Sequence, residues 1–117
     1  MSNPRQPDPR VAQLFSALGD PTRLWLVNQL GDAPQSATAL SEASPLTRQA
    51  IVKHLNVLES VHLVTARREG REVIYAVDPR CLNHAQLFLQ RISAGWDRAI
   101  GRLREAVETP TPRTRRR

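Results

Sequence analysis

The sequence contains a single cysteine, Cys81, among its 117 residues. No disulfide can therefore form within one chain, and a metal site made of several cysteines would need thiols from two copies. No apolar run approaches the roughly 18 residues that a membrane span requires. The first ten residues, MSNPRQPDPR, also lack the apolar stretch of a signal peptide. We therefore expect a cytoplasmic protein that does not associate with a membrane.

The chain also lacks the residue sets that enzymes use. No nucleophile is paired with a base, and no glycine-rich loop of the kind that cradles phosphate is present. These absences predict a protein that is not an enzyme and that needs no cofactor and no bound metal.

The net charge of the chain is +6, and the positive charge is concentrated in two parts of the sequence. Residues 11 to 109 hold 11 basic and 10 acidic residues, so this body is nearly neutral. The tail, residues 109 to 117, carries four arginines and is predicted to be disordered. Residues 44 to 71 carry five basic and two acidic residues. This local excess favours a polyanionic partner more specifically than the net charge does.

Capping signals predict helices in the first half of a domain over residues 9 to 108, after a flexible arm at residues 1 to 8. Asp8-Pro9 and Asp20-Pro21 each place a carboxylate before a proline, which favours a helix start. Gly19 and Gly31 are expected to end these helices. Apolar residues recur at helical spacing in both, at Val11, Leu14, Phe15 and Leu18 and then at Leu24, Val27 and Leu30. Ser36 can cap a short third helix.

The fourth predicted helix follows Thr47 and has two different sides. Its apolar side is expected to face the core and consists of Ile51, Leu55 and Leu58. On a wheel of 3.6 residues per turn, the opposite side consists of Gln49, Val52, Lys53, Asn56 and Ser60, with Arg48 at the border.

Two alternating segments follow, LVTARR and REVIYAV, joined at Glu69-Gly70. They predict a β-hairpin with the glycine at its turn. The tip of this hairpin is basic and contains Arg67, Arg68 and Arg71.

The last predicted helix covers about residues 80 to 108. Small or apolar residues repeat at alternating spacings of three and four, at Leu82, Ala85, Leu89, Ile92, Trp96, Ala99, Leu103 and Ala106. Such a heptad pattern is typical of a helix that packs against another helix, here from a second copy of the chain.

Together these elements predict a mainly α fold: a winged helix-turn-helix with a two-stranded β-hairpin wing and a long C-terminal dimerisation helix. The apolar side of the fourth helix would hold it on the core, while its first turn enters a major groove. We predict DNA contacts from this helix at Thr47, Arg48, Gln49, Val52, Lys53, His54 and Asn56. We predict phosphate contacts from the wing at Arg67, Arg68 and Arg71.

The segments FSALGDPTRLWLVNQL, TRQAIVKHLNVLESVHLV and ARREGREVIYAV resemble the ArsR family of winged helix-turn-helix repressors. The resemblance covers about residues 10 to 108. It implies a bacterial homodimer, associated with the nucleoid, that binds operator DNA and represses transcription. It also implies that the first and last helices form the dimer interface. The residues concerned are Val11, Leu14, Phe15, Leu82, Leu89, Ile92, Trp96, Ala99 and Leu103.

The sequence departs from this family at positions that matter for function. Ser36-Ala37-Thr38 stands where metal-sensing members carry a Cys-x-Cys pair, so thiolate ligands are absent there. On the last helix, Cys81 and His84 lack the regular spacing of a ligand set. The pattern is therefore closer to the metal-independent subgroup. Val52 stands where the family usually has serine, and His62 where it usually has glycine.

Alternative interpretations remain open. The chain could be a sensor whose DNA binding responds to a metal or a small ligand, a question that depends on Ser36, Thr38, Asp78, Cys81 and His84. It could also be a winged-helix module that binds another protein. His54 could pack beneath its helix instead of contacting phosphate. Arg23 is expected to brace the fold through a carboxylate or a carbonyl.

Overall fold

The computed structural model describes residues 8 to 108, and the predicted arm and basic tail lie outside them, apart from Asp8. Within this range, five helices and three strands follow in chain order: α1 (Pro9–Leu18), α2 (Pro21–Asp32), β1 (Gln35–Ser36), α3 (Ala37–Glu42), α4 (Arg48–Ser60), β2 (Val64–Glu69), β3 (Glu72–Val77) and α5 (Pro79–Glu108). This confirms the predicted mainly helical winged helix-turn-helix. We call α4 the recognition helix and the β2–β3 hairpin the wing.

Side-chain caps determine where the first four helices begin. The carboxylate of Asp8 accepts a hydrogen bond from the backbone N–H of Arg10, and that of Asp20 accepts one from Arg23. The hydroxyl of Ser36 caps α3 in the same way, and that of Thr47 caps α4. Each bond satisfies an N–H that has no partner inside its helix. The helix starts predicted from the sequence are confirmed.

The predicted end of α2 at Gly31 was wrong, because the helix continues to Asp32 and Ala33 is its C-terminal cap. Gly31 is not among the residues with positive φ, so its conformational freedom is not used. Ala33 is extended, with φ −167° and ψ 149°. It precedes Pro34, and a proline ring drives the residue before it out of the helical region.

The recognition helix ends in a Schellman turn at His62. His62 has φ 64°, and its N–H donates to the carbonyl of Glu59. The N–H of Leu63 donates to the carbonyl of Leu58 over 3.0 Å, and both leucines are fully buried. This pattern usually places glycine at the left-handed position. His62 therefore adopts the left-handed conformation in which glycine is usual.

The sheet has three antiparallel strands in the order β1–β3–β2. The wing pairs Val64 with Val77 at its base and Glu69 with Glu72 beside the turn. Gly70, in that turn, has φ 61°, which suits glycine. The sequence predicted only the two wing strands. The third, β1, has two residues that pair with Tyr75 and Ile74.

The core lies in the first of two compact units, which extends to Ala85. Its fully buried large side chains are Leu26, Leu40, Ile51, Leu55, Leu58, Leu63 and Val64. They come from α2, α3, the recognition helix and the first residues after it. Burying a side chain of this size contributes about 1.5–3 kcal/mol. The core therefore holds the recognition helix by the side that carries its leucines.

The predicted apolar face of α2 was partly wrong. Leu24, which the sequence places on one apolar stripe with Val27 and Leu30, is 53% exposed, whereas Leu26 is fully buried. Leu30 is buried as predicted. Leu26 and Leu30 are four residues apart and share one helical face, and Leu24 lies outside it.

The second compact unit begins at Gln86, and its described part is the remainder of α5. α5 is continuous through Gly95 and Gly101, as the heptad pattern predicts. Within the described residues, no helix has the length and hydropathy needed to cross a membrane.

Candidate nucleic-acid interface

The first turn of the recognition helix presents polar side chains to solvent. Arg48 and Gln49 are exposed, and so is the capping residue Thr47. The Thr47 hydroxyl oxygen lies 3.1 Å from the backbone nitrogen of Ala50, from which it accepts a hydrogen bond. Its own hydrogen can still be donated to a further acceptor. The cap thus shapes the helix start and also leaves a donor beside the arginine and the glutamine.

The opposite side of the recognition helix is fully inside the protein. Ile51, Leu55 and Leu58 are each 0% exposed. Lys53 and Asn56, which the wheel placed on the outer side, are exposed. The helix is therefore fixed by one side and free along the other, the arrangement that a helix needs to enter a major groove.

Val52 differs from its neighbours on the outer side because it is only partly exposed and packs against the core. It lines a cleft of about 210 Å³ between the recognition helix, α3 and the wing. Arg48 and Arg71 line the same cleft, although 23 positions separate them in the sequence. Two arginines predicted to bind DNA thus line the same cleft. Val52 itself has less free surface than the wheel suggested.

The side chain of His54 is only 25% exposed and has contacts within the protein, so it is less available to a DNA phosphate than an exposed histidine would be. Its Nδ1 atom lies 3.2 Å from Nη1 of Arg23 and 3.8 Å from the carboxylate of Asp20. Arg23 also donates from Nε to the carbonyl oxygen of Ala17, which confirms its predicted bracing role. The backbone N–H of Arg23 keeps the pKa of Asp20 below its usual range. The imidazole therefore joins the recognition helix to the start of α2.

The three wing arginines are exposed but are not equivalent. Nε and Nη2 of Arg67 donate to the carboxylate of Glu69 on the same strand, forming an exposed ion pair. Arg71 instead lines the cleft beside Arg48. The charge of Arg67 is thus partly compensated within the wing.

The predicted dimer residues differ widely in exposure. Leu14 is 2% exposed and belongs to the core, so it offers almost no surface to a partner. Phe15 and Leu82 are partly buried against the same core. Val11 and Ala99 are intermediate in exposure. Leu89, Ile92, Trp96 and Leu103, further along α5, are exposed large apolar side chains.

Three of the five positions that bear on metal sensing already have other contacts. Ser36 is buried and caps α3, while the Asp78 carboxylate binds Arg80. The Cys81 thiol lies 3.5 Å from the carbonyl oxygen of Val61, and burial raises the pKa of the thiol. Over residues 8 to 108 there is no group of three or more histidine, cysteine or acidic side chains that could hold a metal ion.

Two features of the site were not identified from the sequence. Thr38, exposed at the start of α3, lines the cleft with Arg48. From the sequence, Thr38 stands out only as a position where metal-sensing members of the resembling family carry a cysteine. The sequence predicts only a helix cap for Asp20, yet its carboxylate also contacts the recognition helix through His54. That contact joins residues 34 positions apart, and no local pattern could reveal it.

Comparison with known proteins places these features in a family. A helix-turn-helix domain model matches residues 18–67. The chain is 34% identical over 100 residues to the HTH-type transcriptional regulator Rv2034 of Mycobacterium tuberculosis, covering 86% of this chain and 87% of that protein. An ArsR-like transcriptional regulator from Rhodococcus sp. RHA1 has a similar structure. Its TM-score is 0.75 and its sequence identity 39%, over 87% of this chain and 96% of that one.

A second similar structure is the homodimeric winged helix-turn-helix DNA-binding domain of Mb0332 from Mycobacterium bovis, a possible ArsR-family regulator. Its TM-score is 0.62 and its identity 25%, over 80% of this chain and 91% of that one. The sequence similarity extends over most of both chains, and the fold and the exposed first turn of the recognition helix agree with it. The chain belongs to the ArsR family of winged helix-turn-helix transcriptional regulators.

Proposed function

We propose that the chain acts as a homodimeric repressor in the bacterial cytoplasm, where it binds a palindromic or near-palindromic operator without a cysteine metal site. The observation that carries this proposal is the two-sided recognition helix. Thr47, Arg48 and Gln49 are exposed at its start, while the side bearing Ile51 is fully buried.

The exposed residues have the chemistry that base recognition requires. An arginine can donate two hydrogen bonds to the edge of a guanine, and a glutamine can bond to an adenine in the same bidentate way. The hydroxyl of Thr47 and the ammonium of Lys53 are suited to phosphate oxygens. Arg48 and Gln49 would thus read the base sequence, whereas Thr47 and Lys53 would fix the position of the helix on the DNA backbone.

The cleft supports a second set of contacts. Arg71, from the wing, and Arg48, from the recognition helix, line it together with Thr38. A DNA strand that follows the edge of the major groove could meet these side chains in succession. Thr38 is therefore added to the proposed phosphate contacts, and Val52 is assigned at most an apolar contact beside the cleft.

Dimerisation is proposed from the exposed apolar residues of α5. Leu89, Ile92, Trp96 and Leu103 follow the heptad spacing and leave large apolar surfaces in water. Pairing with the same residues of a second copy would cover them. Two-fold symmetry would then separate the two recognition helices by about one turn of DNA, roughly 34–36 Å.

Metal sensing is the main alternative within the family. The hydroxyl of Ser36 is already used as a helix cap, and Cys81 is the only cysteine in the sequence. These observations favour a regulator that does not depend on a cysteine metal site. A protein-binding role is less favoured, because the exposed side of the recognition helix is mainly polar.

Selection of bound sequences from random duplex DNA, with and without added zinc, tests the proposal. We expect enrichment of an inverted repeat whose half-sites lie about one helical turn apart, and the same sequence in both conditions. Failure to enrich any sequence would contradict operator binding. Enrichment that depends on zinc would instead support the metal sensor.

A further inference from the structure

A cavity of about 380 Å³ lies at the end of the recognition helix, within the first compact unit. Its walls come from three places: the first turns of α1, the residues that end the recognition helix, and the first turns of α5. The recognition helix has 13 residues, so about 20 Å separate this end from its first turn. The cavity is therefore distinct from the proposed DNA contacts. Its volume falls within the range of small-molecule sites.

Two Asp-Pro-Arg sequences form matching parts of the rim. Nε and Nη2 of Arg10 donate to the carboxylate of Asp8, at 3.3 and 3.0 Å. Arg80 binds Asp78 in the same way, at 3.3 and 3.1 Å. These bonds lower the pKa of both carboxyl groups, which keeps them ionised near neutral pH. The acidic groups of the rim are thus already neutralised by their own arginines.

Donor groups at the rim remain available to a ligand. A guanidinium has five N–H groups, and the bonds to described residues use only Nε and Nη2 of each arginine. The imidazoles of His62 and His84 also line the cavity and are exposed. Gln13 and Ser60 complete the polar part of the rim. The two Asp–Arg pairs balance in charge, so the preference for an anion rests on the unused N–H groups of the two arginines, which can form charge-assisted hydrogen bonds to it.

The inner wall is apolar and uncharged. It includes Val11, Val61 and the thiol of Cys81. Burial and the nearby Asp78 carboxylate raise the pKa of this thiol, so it stays protonated near neutral pH. An apolar interior below a rim of donors is the usual arrangement of a site for a small amphipathic molecule.

We infer that this cavity is a binding site for a small organic anion, a carboxylate on a compact apolar body, whose occupancy changes the DNA affinity of the recognition helix. Only the regulatory part of this inference rests on the proposed function; the binding site itself does not. A ligand there would touch the turn at His62, which ends the recognition helix, and also the first turns of α1 and α5. It would thereby bias the elements proposed to bind DNA and to form the dimer.

Titration of the full-length protein with benzoate, followed by amide NMR shifts without DNA, tests the site. Benzamide, which has the same shape without the charge, serves as the neutral probe. We expect saturable benzoate shifts at Val11, Val61 and Cys81, and much weaker ones with benzamide. A Cys81→Met variant should weaken them, because its longer side chain occupies part of the space at the inner wall, whereas Cys81→Ser, which keeps the size of the side chain, should preserve them. Unsaturable shifts, or shifts unchanged in Cys81→Met, would overturn the site.

A pair of charge-matched variants tests the rim. Replacing both Arg10 and Arg80 by glutamine should weaken benzoate binding about tenfold, because charge-assisted hydrogen bonds are lost and the carboxylates of Asp8 and Asp78 are left unpaired at the rim. Replacing Arg98 and Arg102 by glutamine removes the same charge from α5 outside the cavity and should change little. Equal losses in the two variants would show that benzoate responds only to net charge.

The regulatory part is tested separately on the selected duplex at constant ionic strength, since DNA affinity depends on salt. We expect benzoate, but not benzamide, to change duplex affinity by about fivefold or more. Saturable binding with unchanged affinity would overturn the regulatory role. If the protein binds no duplex at all, the proposed function fails, while the titration without DNA still decides whether the site exists.

Discussion

Arg23 on α2 and His54 on the recognition helix contact each other across 31 positions of sequence, with 3.2 Å between Nη1 and Nδ1. A guanidinium has only donors, so this contact is a hydrogen bond when Nδ1 accepts and the ring proton is on Nε2. Arg23 is itself held by the carbonyl of Ala17 at the end of α1. The recognition helix is thus fixed by a polar contact as well as by its buried leucines.

The first prediction concerns the energetic coupling of these two residues. Arg23→Ala and His54→Ala should each destabilise the fold, and the double variant should lose about 1 kcal/mol less than the sum of the two, because they remove the same hydrogen bond. Urea unfolding of the four proteins measures this coupling. Pairing Arg23→Ala with His62→Ala, on the turn after the helix, should give additive losses. Additivity in the first pair as well would show that the contact contributes nothing to stability.

The second prediction separates base recognition from charge. Arg48→Ala should weaken binding to the selected duplex by about 1–3 kcal/mol and have less effect on a scrambled duplex, because a bidentate contact to a base edge is lost. Arg104→Ala removes the same charge from an exposed position on α5 and should have little effect on either. Fluorescence anisotropy on both duplexes measures the difference. Equal losses on the two duplexes would contradict base reading by Arg48.

The third prediction follows from the unequal wing arginines. Arg71→Ala should weaken binding to every duplex and reduce the slope of affinity against salt, because a phosphate contact is lost. Arg67→Ala should do less, since Glu69 already compensates its charge. Glu69→Gln should release Arg67 and increase affinity for all sequences. A salt slope that is the same in all three variants would argue against contact between the wing and DNA.

Much of the fold could be predicted because its determinants are local. Asp-Pro pairs mark the starts of α1 and α2, and both carboxylates cap as expected. The face of α2 could not be fixed in this way. Apolar residues occur at 24, 25, 26, 27 and 30, so the sequence allows more than one buried face. Packing against the recognition helix and the sheet selects Leu26 and leaves Leu24 exposed.

The candidate site was predictable to the extent that it depends on one helix. The buried positions Ile51, Leu55 and Leu58 could be derived from their spacing, and with them the exposure of Arg48 and Gln49. The cleft that Arg71 and Arg48 line could not be predicted in this way, because it depends on how the wing packs beside the recognition helix in the tertiary structure. The two-residue strand β1 could not be predicted either, because it forms only by pairing with Tyr75 and Ile74, which are distant in the sequence.

The fourth prediction uses the strained turn at His62, where φ is 64°. Glycine has no Cβ to clash in this conformation, so His62→Gly should stabilise the fold by about 1 kcal/mol. His62→Val should destabilise it, because a β-branched side chain tolerates positive φ poorly. Thermal and urea unfolding measure both changes. Equal stability of the glycine and valine variants would mean that this turn does not keep its left-handed conformation in solution.

The fifth prediction tests the dimer through Trp96, which is 65% exposed in the single chain. Trp96→Glu would place an unpaired charge in the proposed interface and remove its largest apolar side chain, at a cost of more than about 2 kcal/mol of dimerisation free energy. Ala94→Glu introduces the same charge two positions away, on the opposite side of the heptad, and should leave the dimer intact. Sedimentation velocity should therefore find monomer for the first variant and dimer for the second. If the Trp96 variant remained a dimer, the interface would have to lie elsewhere on the chain. If both variants were monomers, added negative charge on either side of α5 would be enough to prevent dimerisation, and the result would not place the interface at Trp96.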